Sequence, residues 1–170
     1  MGKHIFRICF AFFCSLNIIV SDDPSESFIQ RSLMLYMPES VDEDEVVVAV
    51  GVNQAKRGFF TMEQREDIIR QATKGMEGVR ITHYEGLTVD ICRTLGIRHI
   101  VRGVRNMTDF DNEQAVADAN RHLAPEIDTI IIPTAQEYSH ISSSAVRDVV
   151  SHHGDLSQFI PEGVVLPQVK

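Results

Sequence analysis

The sequence predicts an α/β protein: a single domain in which a parallel β-sheet carries helices on both faces. From residue 45 onward, short runs of β-branched residues alternate with helix-like segments, and this alternation is typical of parallel strands joined by crossover helices. The chain has 170 residues, of which 44% are hydrophobic, so one domain can enclose its own core. No internal repeat divides it.

The N-terminal segment admits two interpretations. Lys3, His4 and Arg7 precede an apolar run over residues 8–20, as in a secretory signal peptide. That run is short for a membrane-spanning helix, and no Ala-x-Ala cleavage pattern ends it. We therefore predict a buried first strand, with a secreted or membrane-tethered protein as the alternative. Residues 1–44 form a divergent segment of the predicted domain.

The next elements are marked by local signals. Residues 46–50 are a continuous apolar run, as expected of a strand buried on both faces. Thr61 and Gln64 have the spacing of a capping box, which predicts a helix that begins there and ends near Gly75. Residues 79–83 follow as another strand.

Three further helices and two further strands complete the predicted order. The helices are expected at residues 88–95, 109–123 and 144–153, and the strands at residues 99–101 and 129–132. Gly96 and Gly154 stop two of the helices, and Pro133 interrupts the last strand. Ligands of such sheets bind beyond the carboxyl ends of the strands. The segments to search are therefore residues 51–60, 84–88, 102–109 and 134–144.

Composition narrows the classes of function. The formal net charge of −8 argues against a general nucleic-acid-binding protein, although local cations and helix N-termini still allow phosphate ligands. Three cysteines without close spacing predict neither a disulfide framework nor a zinc site, and Cys92 is interpreted as a small core residue. The seven histidines show no metal-binding spacing, so we predict no protein metal site.

Two arginines follow the predicted strand at residues 99–101. Arg102 and Arg105 flank Gly103, which lets the backbone approach a ligand closely. The planar guanidinium forms paired hydrogen bonds with phosphate oxygens, so this segment is a candidate phosphate site. The alternative is a pair of solvated arginines in a loop.

Three serines, at positions 142–144, precede the last predicted helix. A serine hydroxyl commonly caps a helix, but backbone N–H groups and hydroxyls at a helix N-terminus also bind anions. Both interpretations stay open. Lys56 in a loop and Glu113 near a helix start are, on their own, typical of solvated surface and of helix-dipole stabilisation.

Taken together, these segments resemble the phosphopantetheine adenylyltransferases. The stretches that carry the resemblance include AVGVNQAKRGFFTMEQR at 49–65, HYEGLTVDICRTLG at 83–96, IVRGVRNMTDFDNE at 100–113 and EYSHISSSAVRDV at 137–149. They span residues 45–165 in the family's order. The resemblance implies a Rossmann-like nucleotidyltransferase that joins AMP from ATP to 4′-phosphopantetheine and releases dephospho-coenzyme A and pyrophosphate. It also implies Mg²⁺ with ATP, a cytoplasmic homo-hexamer, inhibition by coenzyme A, and neither a nucleic-acid nor a membrane partner.

The resemblance also assigns site residues. It assigns three to phosphopantetheine: Lys56, Thr88 and Arg102. It assigns the following to ATP: Gly103, Val104, Arg105, Glu113, Tyr138, Ser139, His140, Ile141, Ser142, Ser143 and Ser144. Rival nucleotidyltransferases with another acceptor, such as nicotinamide-mononucleotide or cytidylyl enzymes, fit the acceptor-side matches less well.

One family motif is absent. The family's first strand leads into Thr-x-Gly-His, whose histidine binds the ATP phosphates, but no Gly-His dipeptide occurs in this chain. The nearest remnant lies at residues 21–24 (SDDP). Three explanations stay open: a divergent homologue with weakened activity, a sequence error such as a frameshift, or replacement by His140. No catalytic residue is therefore assigned, and the alternative function is a relative that binds phosphopantetheine or coenzyme A without efficient turnover.

Overall fold

A computed structural model describes residues 16–20, 46–52, 59–76 and 78–167. Within these residues the chain forms five strands, four α-helices and one short 3-10 helix at Gln136–Tyr138. The strands are β1 (Leu16–Val20), β2 (Val46–Gly51), β3 (Val79–Tyr84), β4 (His99–Val104) and β5 (Asp128–Pro133). The helices are α1 (Met62–Ala72), α2 (Thr88–Leu95), α3 (Met107–Leu123) and α4 (Ser143–Ser151).

The strands form one sheet in the order β3-β2-β1-β4-β5. β2 is parallel to β3, and β4 is parallel to β5. β2 and β4 also run in the same direction, because both are antiparallel to the strand between them. The carboxyl ends of β2 to β5 therefore share one edge of the sheet, which we call the carboxyl edge. The predicted α/β architecture of alternating strands and helices is confirmed.

The central strand β1 departs from the prediction of a wholly parallel sheet. Its existence as a strand is confirmed at Leu16–Val20, but it pairs antiparallel with both β2 and β4. In its register, Leu16 lies opposite Val50 and Val20 lies opposite Val46. The chain thus leaves β1 and enters β2 at the same edge, as antiparallel neighbours do. That edge is opposite to the carboxyl edge.

One face of the sheet is covered by α1 and α4. Val48 and Val50 of β2 are buried in a single apolar cluster with Ile68 and Ile69 of α1 and Val146 of α4. The apolar positions of α1 are spaced three and four residues apart, so they form one stripe that faces the sheet. This cluster fixes the position from which α4 begins.

The other face of the sheet is covered by α2 and by the residues after α3. Val47 and Ala49 of β2 are buried with Val89 and Cys92 of α2 and with Ile100 of β4. Successive β2 side chains therefore enter opposite clusters, which is the strand periodicity expected for a strand buried on both faces. Helices on both faces of the sheet are thereby confirmed.

Local signals set several element boundaries. The capping box is confirmed, since Gln64 N donates to Thr61 Oγ1 at 3.3 Å and Thr61 N donates to Gln64 Oε1 at 2.9 Å. Gly96 ends α2 with a φ of 71°, a left-handed conformation that glycine adopts without strain. Helix α3 begins two residues earlier than predicted, because the Asn106 side chain caps it by accepting from Asp109 N at 2.9 Å.

Among residues 16–20, 46–52, 59–76 and 78–167, no helix is both long enough and apolar enough to cross a bilayer.

The thiol of Cys92 gives a first prediction. Cys92 is fully buried, and this burial raises the pKa of its thiol from 9.0 to about 11. We expect iodoacetamide at pH 8 to leave Cys92 of the native protein unmodified, because the thiolate is the reactive form. Peptide mass spectrometry measures the labelling, with urea-unfolded protein as the positive control. Rapid labelling of the native thiol would contradict the packing of α2.

The same pKa shift has a consequence for stability. The unfolded thiol ionises at a lower pH than the folded thiol, so the unfolded state loses its proton first. Cys92 therefore lowers the free energy of unfolding as the pH rises from about 9 to about 11. Below pH 9 it has no such effect.

Candidate functional site

The predicted site residues within the described chain gather near the carboxyl edge. Thr88 is the first residue of α2, directly after β3. Arg102 lies in the last part of β4 and Arg105 directly follows that strand. The serine loop, residues 138–144, follows β5 and leads into α4. Lys56 lies outside the described residues, so its predicted contact with phosphopantetheine stays a prediction.

Strand β4 is longer than the sequence indicated. The predicted strand ended one residue before Arg102, but the parallel ladder with β5 continues from Arg102 opposite Ile131 to Val104 opposite Pro133. Arg102, Gly103 and Val104 are therefore part of the strand and not of the loop that follows it. The backbone pairing outweighs the low strand preference of glycine. A side chain on a hydrogen-bonded strand is held more rigidly than one on a loop.

Arg102 forms a partly buried ion pair with Glu113 of α3. Arg102 Nε and Nη2 donate to Glu113 Oε2 and Oε1, both at 2.7 Å. Only 13% of the Arg102 side chain and 18% of the Glu113 side chain are exposed. This two-bond geometry fixes the plane of the guanidinium and offsets part of its charge. The two residues, which the family resemblance assigned to different substrates, are thus direct neighbours.

Arg105 joins two segments that were predicted to contact ATP. Its Nε and Nη2 donate to Asp109 Oδ2 at 2.7 Å and Asp109 Oδ1 at 3.1 Å. Its Nη1 donates to the backbone oxygen of Ile141 at 3.2 Å, across 36 positions of sequence. One guanidinium therefore sets the distance between the end of β4 and the serine loop. Asp109, in the first turn of α3, was not predicted as a site residue, because Arg105 lies before the helix and no helical spacing joins the two.

The three consecutive serines have different environments. Ser142 caps α4, since its Oγ accepts from Ala145 N at 3.0 Å, so the capping interpretation is confirmed for this residue. Ser143 is buried, and the Oγ of Ser144 accepts from Arg147 Nη2 at 3.2 Å. Helix α4 therefore begins at Ser143, one residue before the predicted start. The N-cap Ser142 directly follows Ile141, whose backbone oxygen accepts from Arg105, and anion binding at this helix N-terminus stays a prediction.

The rest of the serine loop is ordered by its own hydrogen bonds. Tyr138 ends the 3-10 helix, and Ser139 Oγ donates to the backbone oxygen of Gln136 at 2.8 Å. The exposed ring of His140 packs edge-on against Phe159, with ring centroids 5.6 Å apart. His140 is thus tied to the C-terminal segment, and its role as a replacement histidine stays a prediction.

Thr88 has a partner that the sequence analysis missed. The hydroxyl of Tyr84, the last residue of β3, lies 2.7 Å from Thr88 Oγ1. The sequence signal for this contact was a tyrosine at the end of a predicted strand and a threonine four residues later at the start of a predicted helix. Leu87, the N-cap of α2, is exposed and provides no side-chain cap. Elsewhere in the described chain, no group of three or more His, Cys, Asp or Glu side chains is arranged to hold a metal ion.

Comparison with known proteins gives a consistent result. A sequence model of the family described as cytidylyltransferase-like matches residues 33–149. The phosphopantetheine adenylyltransferase of Flavobacterium psychrophilum is 43% identical over 136 residues, which cover 80% of this chain and 85% of that protein. The enzyme of the same name from Porphyromonas gingivalis is 41% identical over 138 residues, covering 81% and 85%. That from Lachnoclostridium phytofermentans is 38% identical over 122 residues, covering 72% and 75%.

The ion pair at the site gives a second prediction. Glu113→Gln removes the charge that offsets Arg102, and we expect the free energy of unfolding to fall by roughly 2–4 kcal/mol, somewhat below the cost for a fully buried pair. Urea denaturation measures it. The matched control is Glu126→Gln, which breaks the solvent-exposed pair between Arg93 and Glu126 and should leave stability near that of the wild type. Equal effects of the two substitutions would contradict the structural importance of the Arg102 pair.

Proposed function

This chain belongs to the cytidylyltransferase-like family and, within it, to the phosphopantetheine adenylyltransferases, and from that membership we propose that it transfers the adenylyl group of ATP to 4′-phosphopantetheine. The observation that carries the proposal is the meeting of acceptor-side and ATP-side residues at one edge of the sheet. Thr88 and Arg102 represent the acceptor side, and Arg105 with the serine loop represents the ATP side. The products would be dephospho-coenzyme A and pyrophosphate.

The acceptor side would be held by charge and by hydrogen bonding. Arg102 is rigid because its strand and Glu113 both hold it, so its guanidinium can meet a phosphate without losing much conformational freedom. Thr88 would contact the pantetheine arm at the start of α2, and Lys56 would contact the phosphate. This division of roles suits a substrate with one anionic end and one long polar arm.

The transfer itself would be an in-line displacement. An oxygen of the phosphopantetheine phosphate attacks the α-phosphorus of ATP, a P–O bond forms, and the bond to the pyrophosphate oxygen breaks. Such a reaction depends mainly on positioning and on charge stabilisation and needs no covalent nucleophile. The ATP contacts would come from the end of β4 (Gly103, Val104 and Arg105), from Glu113, and from the serine loop, residues 138–144.

We further propose that ATP enters with Mg²⁺. This ion keeps several waters and is usually bound through substrate phosphates and one or two carboxylates, so the proposal requires no metal cage built from protein alone. Coenzyme A, which contains the same pantetheine arm as the product, would compete for the acceptor site. The buried thiol of Cys92 is compatible with a reducing compartment, and we propose the cytoplasm.

Assembly into a homo-hexamer is supported by α3. None of the residues of this helix is buried, and Val116 and Leu123, two turns apart on one side, are 50% and 51% exposed. Exposed apolar stripes of this kind commonly mark protein–protein contacts. A second copy of the chain is the proposed partner for this face.

The third prediction tests the reaction. We expect pyrophosphate release when ATP, Mg²⁺ and 4′-phosphopantetheine are mixed with the protein, measured by a coupled colorimetric assay. Arg102→Lys keeps the charge but loses the planar fork, so kcat/KM for phosphopantetheine should fall by about tenfold or more. Arg121→Lys, at an exposed ion pair of α3, is the matched control and should match the wild type.

Calorimetry on the same preparation separates the two functions that the sequence left open. Binding of phosphopantetheine or coenzyme A without pyrophosphate release would identify the non-catalytic relative. If the protein showed no binding and no pyrophosphate release, the proposed function would be refuted.

The fourth prediction tests the assembly. Leu123→Glu introduces a charge into the exposed stripe of α3, and we expect the hexamer mass seen by light scattering to fall to that of smaller species, because a buried unpaired charge is costly. Gln114→Glu adds the same charge on the other flank of the helix and should preserve the mass. A wild-type monomer, or equal masses for both variants, would count against this interface.

A further inference from the structure

Two hydroxyl groups meet where β3 ends and α2 begins. Tyr84 Oη lies 2.7 Å from Thr88 Oγ1, and this contact is partly buried. Both residues sit at the carboxyl edge, where the proposed acceptor site begins. The contact differs from a helix cap, because the α2 N-cap residue is Leu87, whose side chain forms no capping hydrogen bond.

The position of Tyr84 is fixed from two directions. Its backbone pairs with Gly51 of β2, and its carbonyl oxygen accepts from Val52 N at 2.9 Å. Its ring packs against the apolar cluster that contains Val89 and Cys92 of α2. The same cluster therefore holds the tyrosine and the helix that carries Thr88, so their separation is set by the core.

The acidity of the two hydroxyls favours one direction of this hydrogen bond. A phenolic hydroxyl is a stronger donor than an aliphatic hydroxyl. Its oxygen is also a weaker acceptor, because one lone pair is delocalised into the ring. Either hydroxyl can donate across this contact. Donation by Tyr84, the stronger donor, leaves the proton of Thr88 for another acceptor.

We propose that Tyr84 is a positioning residue for the acceptor substrate. By donating to Thr88 Oγ1, it orients the threonine hydroxyl as a donor toward an acceptor oxygen of the ligand, such as an amide carbonyl of the pantetheine arm. This inference rests on the proposed function, in which Thr88 contacts that arm. It adds a residue that acts through Thr88 and does not itself touch the substrate.

A phenylalanine at this position separates positioning from packing. Tyr84→Phe keeps the ring in the apolar cluster and removes only the group that orients Thr88. The threonine hydroxyl would then rotate among its staggered positions, and substrate binding would have to order it. Folding should be nearly unaffected, while binding of the acceptor should weaken.

The experiment is a double-mutant cycle in ligand binding. Calorimetry with 4′-phosphopantetheine should show a dissociation constant about three- to tenfold higher for Tyr84→Phe, as expected for one neutral hydrogen bond. The dissociation constant for ATP and the melting temperature should remain those of the wild type. Thr88→Val should weaken binding at least as much, and the double variant should bind no more weakly than Thr88→Val alone.

A matched control comes from the same helix. Thr94→Val also removes a threonine hydroxyl from α2, but this hydroxyl donates to the backbone oxygen of Asp90 at 2.9 Å on the exposed side. Binding of 4′-phosphopantetheine should be unchanged in this variant. If loss of any threonine hydroxyl destabilised α2, both Thr88→Val and Thr94→Val would weaken binding. That result would overturn the positioning role.

The remaining outcomes separate this inference from the proposed function. If Tyr84→Phe bound 4′-phosphopantetheine with the wild-type dissociation constant, the role of Tyr84 would be overturned and the proposed function would stand. Additive losses in the double variant would have the same meaning. A wild-type protein that does not bind 4′-phosphopantetheine would overturn the proposed function and this inference with it. Unchanged binding in Thr88→Val would remove Thr88, and therefore Tyr84, from the acceptor site.

Discussion

The structure depends on one strand that is buried on both faces. Val47, Val48, Ala49 and Val50 of β2 are each no more than 1% exposed, and alternate residues enter opposite apolar clusters. Such a strand requires a helical layer on either side, because one layer would leave half of its apolar surface in water. The charged side chains of the predicted site therefore lie near the ends of the strands, where the chain emerges from the sheet.

Rigid elements hold the predicted site residues at that edge. Arg102 belongs to a strand, Thr88 begins a helix anchored in the core, and Arg105 spans from the end of β4 to the backbone of Ile141. Carboxylates of α3 hold both arginines, so each guanidinium is oriented before any ligand arrives. Preorganised charge of this kind stabilises a phosphoryl-transfer transition state more effectively than charge on mobile side chains, which must first be ordered.

The sequence predicted what is encoded locally. Three signals each act within a few residues: the apolar run of β2, the capping box at Thr61 and the glycine stop at Gly96. The strand and the helix ends that they specify could therefore be predicted without tertiary information. Contacts between separate strands and helices were harder to predict from the sequence. Arg102 and Gly103 look unlike strand residues, yet pairing with β5 keeps them in β4. Lys56, Mg²⁺ and the hexamer stay predictions, since the described residues do not test them.

The direction of β1 was beyond sequence reasoning for a different reason. A β-branched segment satisfies the hydrogen bonds of its neighbours in either direction, so its composition does not set its polarity. Here β1 runs antiparallel, and Val20 lies at the edge opposite the proposed site. In the family, the Thr-x-Gly-His motif follows the first strand, and a parallel strand would bring it to the carboxyl edge. The missing motif and the reversed strand therefore concern the same part of the site, the part that would contact the ATP phosphates. The arginines, Thr88 and the serine loop belong to other strands and helices, so the reversal of β1 leaves them at the carboxyl edge.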